Sequence, residues 1–100
     1  KSLFPMDDES VKELIGKIEN YEIDAITFTS PLTVHNFFKI SENNEKLKRL
    51  LSNNLLTVAI GPITGKVLDD YEVTHIYPDT YTVPDMMELL FKVWRDSNGR

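Results

Sequence analysis

One hundred residues suffice for one small domain and not for two, and at this size roughly 65% of the unfolded chain's surface is buried on folding. The apolar fraction of 41% and charged fraction of 27% are those of an ordinary globular chain, while a formal charge of −5 disfavours non-specific attraction to nucleic acid or an anionic membrane. Without any Cys, disulfide frameworks, thiolate zinc sites and Cys nucleophiles are excluded, which fits a reducing cytoplasm.

The start, Lys1-Ser2-Leu3-Phe4-Pro5, lacks the apolar stretch of a signal peptide, and no run approaches the ~18 apolar residues of a membrane span. Because position 1 is Lys rather than Met, the chain is expected to begin inside a longer translated product. Asp7-Asp8-Glu9-Ser10 offers capping side chains and negative charge for a helix N-terminus, and Val11, Leu14, Ile15, Ile18 and Tyr21 follow at helical spacing. That spacing predicts an amphipathic helix over about residues 8–21.

Ile23 to Phe28 is a mostly apolar, β-branched run of strand length, ended by Thr29-Ser30-Pro31. Val34, Phe37, Phe38 and Ile40 then suit a short helix, and Ser41-Glu42-Asn43-Asn44 breaks it. A further helix carries Leu47, Leu50 and Leu51 and stops at Ser52-Asn53-Asn54. The Leu55–Ile60 run is a second strand, apolar along its length as in a parallel sheet buried on both faces. After Gly61-Pro62, the residues Ile63, Val67 and Leu68 place an apolar stripe on a helix ending near Asp70-Tyr71. Val73 to Tyr77 reads as a third strand, closed by Pro78-Asp79. Thr82-Val83-Pro84-Asp85 resembles a capping box, and Met86, Leu89, Leu90, Val93 and Trp94 make a terminal helix, with Ser97-Asn98-Gly99-Arg100 expected to fray. Alternating helices and strands with short connections predict an α/β fold, a parallel sheet flanked by helices, seen here as a partial domain of about three strands.

In such sheets ligands gather beyond the carboxyl ends of the strands, which is where two similar turns fall. In Thr29-Ser30-Pro31-Leu32-Thr33 and Gly61-Pro62-Ile63-Thr64 a Pro stands in the first helical turn, where its missing N–H costs nothing. The remaining N–H groups there, those of Leu32, Thr33 and Val34 in the first turn, have no intrahelical partner and can meet a carboxylate or phosphate, joined by the Thr29, Ser30 and Thr64 hydroxyls. Gly61 before Pro is expected to adopt backbone angles closed to other residues and to leave the helix end unshielded. Each turn also reads as a plain strand-to-helix cap. Tyr81, beside the expected cap Thr82, either packs across its loop or reaches the site.

Neither His35 nor His75 has a partner at metal-ligand spacing, so no metal site is expected, and His35 reads as a surface or boundary residue. Tyr71 and Tyr77 read as partly buried packing residues, and Asp69-Asp70 as a solvated helix end. Glycine-rich nucleotide loops of either common spacing are absent, and the strand ends carry Thr29, Ser30 and Gly61 where a phosphoacceptor receiver domain needs Asp.

The order and spacing of Ile23-Asp24-Ala25-Ile26-Thr27-Phe28-Thr29-Ser30-Pro31, Val58-Ala59-Ile60-Gly61-Pro62-Ile63-Thr64 and Pro78-Asp79-Thr80-Tyr81-Thr82 resemble the carboxyl-terminal half of the uroporphyrinogen-III synthase family, over about residues 22–92. The resemblance implies a flavodoxin-like domain forming one side of a two-domain cleft enzyme. It also implies cyclisation of linear hydroxymethylbilane, a polycarboxylate tetrapyrrole, with inversion of ring D and loss of water, without metal or organic cofactor. Under it, Ser30, Pro31, Leu32, Thr33, Gly61, Ile63 and Thr64 fall among the substrate-binding positions, and Thr29 and Tyr81, candidates from their own place beside these turns, join the set. Leu32 departs from the small polar residue usual in that turn, so its backbone rather than its side chain is implied. The tyrosine proposed in that family to assist loss of the hydroxyl lies upstream of Lys1 and maps onto no tyrosine of this chain. The amino-terminal half of the same enzyme is then the expected partner, and the 100-residue piece alone is expected to be inactive. A non-catalytic anion-binding or regulatory module of the same fold is the alternative.

Overall fold

Two four-residue strands, β1 (Ala25–Phe28) and β2 (Leu56–Ala59), pair in parallel with Ala25 opposite Leu56 and Phe28 opposite Ala59. Around them the computed structural model, which describes residues 8–98, places α1 (Asp8–Glu19), α2 (Pro31–Ile40), α3 (Asn44–Asn53), α4 (Pro62–Asp70) and α5 (Val83–Asn98). The proposed cap at Asp7 lies outside the described residues, as do Gly99-Arg100 of the segment expected to fray, whereas Ser97 and Asn98 continue α5. No helix among the described residues is long and apolar enough to cross a membrane.

Alternation along the strands divides the apolar residues between two layers. Ile26, Phe28 and Ala59 face a large core with Val11, Ile15 and Ile18 of α1, Val34, Phe37 and Phe38 of α2, Leu47, Leu50 and Leu51 of α3, and Leu68 of α4. Phe28 meets Phe37 edge-on with centroids 5.1 Å apart, a geometry worth about 0.5–1.5 kcal/mol beyond the area buried. On the opposite face, Val58 packs against Met86 and Leu90 of α5. Burial of β2 on both faces therefore follows its mostly apolar run. Thr57 is its polar exception, only 2% exposed, and its hydroxyl donates to the Leu51 carbonyl at 2.7 Å, satisfying a group that the end of α3 leaves unpaired.

The expected third strand is reduced to a single parallel bridge between Val58 and Ile76. Ile76 N–H donates to Thr57 O at 3.1 Å and Ala59 N–H to Ile76 O at 2.8 Å, but the ladder stops on both sides for chemical reasons. Pro78 has no N–H with which to make the next bond. Toward the other end, Thr74 N–H is diverted to the Ser52 hydroxyl at 3.1 Å. The sheet thus has two strands and a tethered segment, in the order β1, β2, residues 73–77.

One helix end corrects the expected boundary, and a second, ending at Asp70 as expected, closes by the same mechanism. α1 ends at Glu19 rather than at residue 21, because Tyr21 takes a left-handed conformation at φ 61° while Tyr21 N–H donates to Ile18 O and Glu22 N–H to Lys17 O. Tyr21 consequently leaves the apolar stripe and is 67% exposed. Glu72 repeats the motif after α4 at φ 64°, with Glu72 N–H donating to Asp69 O and Val73 N–H to Leu68 O. These are Schellman closures built without the glycine that normally occupies them.

Replacing Tyr21 by Gly relieves the left-handed strain and should stabilise the fold by about 0.5–1 kcal/mol, read as a higher urea midpoint at unchanged slope. Glu72 also accepts a 2.7 Å ion-paired hydrogen bond from Lys48, which holds its carboxyl below the ordinary value of 4.5 and, with Glu45, raises the Lys48 ammonium above 10.5. The pair's contribution is therefore complete between those ordinary values, is lost as pH falls through the depressed carboxyl, and is lost again as pH rises through the raised ammonium. Both groups are exposed, so Lys48→Met should lower stability slightly at pH 7 in low salt and not at all in acid or at 1 M salt; an unchanged deficit in acid would rule the pair out as its source.

Candidate functional site

The β1–β2 register fixes which turns lie side by side. Ile60 N–H donates to Phe28 O at 3.0 Å, so Thr29 and Ser30 leave β1 beside the point where Ile60 and Gly61 leave β2. Both turns sit at the carboxyl edge of the sheet, as their sequences require. Their chemistry differs.

Ser30 is the N-cap of α2, and its hydroxyl accepts from Thr33 N–H at 3.3 Å while sharing a 3.0 Å hydrogen bond with the Thr33 hydroxyl. Pro31 has no N–H, Thr33 spends its own on the cap, and Val34 is buried at the fourth helical position, where the helix uses the N–H itself. Of the expected backbone donors in this turn, Leu32 is left. Its side chain is 67% exposed. The first turn is thus largely self-satisfied.

The second turn is open. Gly61 caps α4 without a side chain, no side-chain cap bond forms, and Gly65 N–H donates to Gly61 O at 2.9 Å, so the helix leaves Ile63 and Thr64 N–H uncapped. Gly61 has φ −171° and ψ −173°, extended backbone open to any residue, which overturns the expectation of special angles. Its requirement is space. A Cβ there would lie 3.0–3.2 Å from the Tyr81 side chain. Tyr81 therefore lies down against the strand-to-helix junction, and Ile60, Gly61, Pro62, Ile63, Thr64 and Tyr81 line one apolar hollow of about 150 Å³.

Thr64 is 2% exposed at the base of this hollow. Among the described residues its hydroxyl has no hydrogen-bond partner, and no sealed side-chain oxygen or nitrogen is left unpaired, so the hydroxyl opens into the hollow it lines. Ile63, expected on the buried stripe, is instead 76% exposed, and α4 buries Thr64, Gly65 and Leu68. A one-residue rotation of that face explains the difference: the small residues 64 and 65 pack inward and were invisible to an apolar count.

Larger open hollows lie elsewhere, such as one of about 360 Å³ beside Asn53, Leu55 and Trp94 at the amino end of the strands. Size does not mark the site in a parallel sheet; strand polarity does. Nothing brings the first turn into the Tyr81 hollow. The sequence-predicted set therefore divides into Thr29–Thr33, adjacent at the sheet edge, and Gly61, Ile63, Thr64 and Tyr81, gathered round one space.

The remaining candidates are structural. His35 is exposed and shares a 2.9 Å hydrogen bond with Tyr71 OH, while Tyr71 stacks on Phe38 at 4.1 Å, as a partly buried packing residue should. His75 is half-buried: its side chain is 8% exposed, Nδ1–H donates to Val73 O at 2.9 Å, and a Cβ on Gly65 would meet Nε2 at 2.7 Å. Tyr77, read as a packing residue, is 44% exposed and contacts Tyr81 edge-on at 6.2 Å. Its closeness to the site had no signal in spacing, because the bridge at Ile76 creates it. Thr82 caps α5 as expected, donating to Asp85 Oδ2 at 2.7 Å and accepting from Asp85 N–H at 3.2 Å.

A family model described as "Uroporphyrinogen-III synthase HemD" matches residues 4–88. The chain belongs to the uroporphyrinogen-III synthase family. A protein of Methanothermobacter thermautotrophicus named "Putative uroporphyrinogen-III synthase" is 41% identical over 90% of this chain and 36% of its own length, and one of the same name from Methanocaldococcus jannaschii is 37% identical over 84% and 32%. The chain thus spans about a third of the curated relatives it matches. Among solved structures, wild-type uroporphyrinogen III synthase of Thermus thermophilus superposes with a TM-score of 0.83 at 18% identity, covering 91% of this chain and 36% of that one. That likeness confirms the α/β fold.

Because the Ser30 hydroxyl is committed to Thr33, Ser30→Ala should cost about 1 kcal/mol of stability in urea unfolding. A cost under about 0.3 kcal/mol would mean that the cap contributes little and that the hydroxyl is free for other work.

Proposed function

We propose that this chain forms one wall of the substrate cleft of a uroporphyrinogen-III synthase, which cyclises hydroxymethylbilane to uroporphyrinogen III with inversion of ring D and loss of water. The rest of the cleft is supplied by the remainder of the enzyme, so the 100-residue piece alone is inactive. Family membership supports the reaction. The observation that carries the site is the uncapped start of α4, whose Ile63 and Thr64 N–H groups have no side-chain cap, beside an apolar hollow that Thr64 and Tyr81 both line.

The chemistry suits a carboxylate-bearing substrate. A protein with net charge −5 does not attract a polyanion through its overall field, so binding must come from local donors. A helix start supplies aligned N–H groups and the positive end of the dipole, and hydroxyls add short, charge-assisted bonds. In this reading Gly61, Ile63 and Thr64 hold one substrate carboxylate. Thr29, Ser30, Pro31, Leu32 and Thr33 border the next, the Leu32 N–H being the donor that the cap leaves available. Tyr81 covers the apolar part of the same group.

The contribution of such a wall to the rate is positional. Ring closure needs the bilane folded so that the substituted carbon of ring D faces the cationic end left when the hydroxyl departs as water. Fixing carboxylates at separate points on a rigid sheet edge favours that fold over the extended chain. No proton transfer is assigned to a residue of this chain.

In the full-length protein carrying this chain, Thr64→Val removes one hydroxyl without changing the size of the buried side chain. It should lower kcat/KM for hydroxymethylbilane about tenfold to a hundredfold while leaving thermal stability near that of the parent. The product assay scores the III isomer against the spontaneously formed I isomer. A parent that yields only the I isomer overturns the proposal.

A further inference from the structure

Two glycines one helical turn apart, Gly61 and Gly65, leave a strip of α4 bare, and an aromatic ladder from the segment after β2's bridge lies along it. Tyr77 stacks on His75 with centroids 6.3 Å apart and meets Tyr81 edge-on at 6.2 Å and 72°. A Cβ on Gly61 would press on Tyr81 at 3.0 Å, a tight fit, and one on Gly65 would strike His75 at 2.7 Å. One residue beyond Tyr81, the Thr82–Asp85 cap anchors the loop to α5.

Such bracing is unusual for a side chain left 56% exposed. A surface tyrosine ordinarily loses little by moving, whereas this ring is supported from below by Gly61, from one side by Tyr77 and along the chain by Thr82. What remains open is the part bordering the hollow, at whose base stands the unpartnered hydroxyl of Thr64. The space admits a single ring or side arm and excludes a macrocycle.

From this juxtaposition we infer that Tyr81 is a substrate-contacting wall that packs its ring against one pyrrole unit of the substrate, and that Tyr77 is a positioning residue acting through Tyr81. The inference rests on the tetrapyrrole reading above. It assigns the apolar half of the recognition to an aromatic ring whose placement depends on the missing side chain at Gly61. Face or edge contact uses the ring and not the hydroxyl, so phenylalanine should serve equally well.

The test uses the full-length protein and hydroxymethylbilane, with KM, kcat, the III-to-I ratio and melting temperature measured together. Tyr81→Ala should raise KM roughly threefold to tenfold, the range of one aromatic contact, and lower the III-to-I ratio, with Tyr81→Phe near the parent. Gly61→Ala, which crowds the ring, should raise KM by less than Tyr81→Ala does, and the double variant should be no worse than Tyr81→Ala alone. Tyr77→Leu should raise KM in the parent and have no effect once Tyr81 is Ala. If Tyr81→Ala proves unstable, Tyr81→Leu retains bulk without the ring and should show the same raised KM. Parent-like KM and isomer ratio for Tyr81→Ala or Tyr81→Leu overturn the inference while leaving the enzyme reading intact, as does a Tyr81→Phe defect as large as that of Tyr81→Ala. A parent protein that makes only the I isomer overturns both.

Discussion

The parallel register of β1 and β2 is the constraint on which the rest depends. With Phe28 opposite Ala59, both strands release the chain at the same level, and each is followed at once by a helix whose first residue is proline. Shifting one strand by a single residue would turn Ile26 and Phe28 away from the main core and separate the two helix starts. Residues deep in the core, Phe28, Val34, Phe37 and Leu68 among them, thereby hold a surface feature in place. The coupling between core and edge is short: Phe28 is two residues from Ser30, and Ala59 two from Gly61.

At that edge, similar sequences have dissimilar outcomes. A hydroxyl at the cap position closes the start of α2 on itself, and a glycine leaves the start of α4 open. The contrast follows from elementary capping chemistry, since an N-cap oxygen satisfies a donor that would otherwise be available to a ligand. Electrostatically the open end matters more because the protein is acidic overall, and only donors oriented locally can favour an anion there. The sheet edge combines one rigid, self-contained corner with one receptive corner.

Much of this was legible in the residues. The spacing of Val11, Ile15 and Ile18, the Val34-Phe37-Phe38 cluster and the Leu47-Leu50-Leu51 stripe place their helices against one core, and Asn43 and Thr82 are read correctly as a polar break and a cap. Illegible features share a cause: they depend on groups that periodicity does not count. The third strand fails because Pro78 lacks a donor and Ser52 diverts another. The inward face of α4 is missed because Thr64 and Gly65 carry no apolar bulk. Tyr21 and Glu72 close their helices in a left-handed conformation for which the sequence offers no glycine as a sign. For the candidate site, residue types and order locate the sheet edge, whereas the meeting of Tyr81 with Gly61 is a tertiary event between segments twenty residues apart.

The imidazole pressed against Gly65 gives α4 a further property. Because His75 Nε2 occupies the position a side chain at 65 would need, a substitution there must turn the imidazole out of its Val73 hydrogen bond, rotate α4 or lift the 73–77 segment from the sheet. Lifting that segment breaks the two hydrogen bonds at Ile76, the tether between the sheet and the loop carrying Tyr77 and Tyr81. Position 65 is thus under a steric constraint that opposes the gain in helix propensity a larger residue would bring. Along descent, that position and the aromatic loop should change together or not at all.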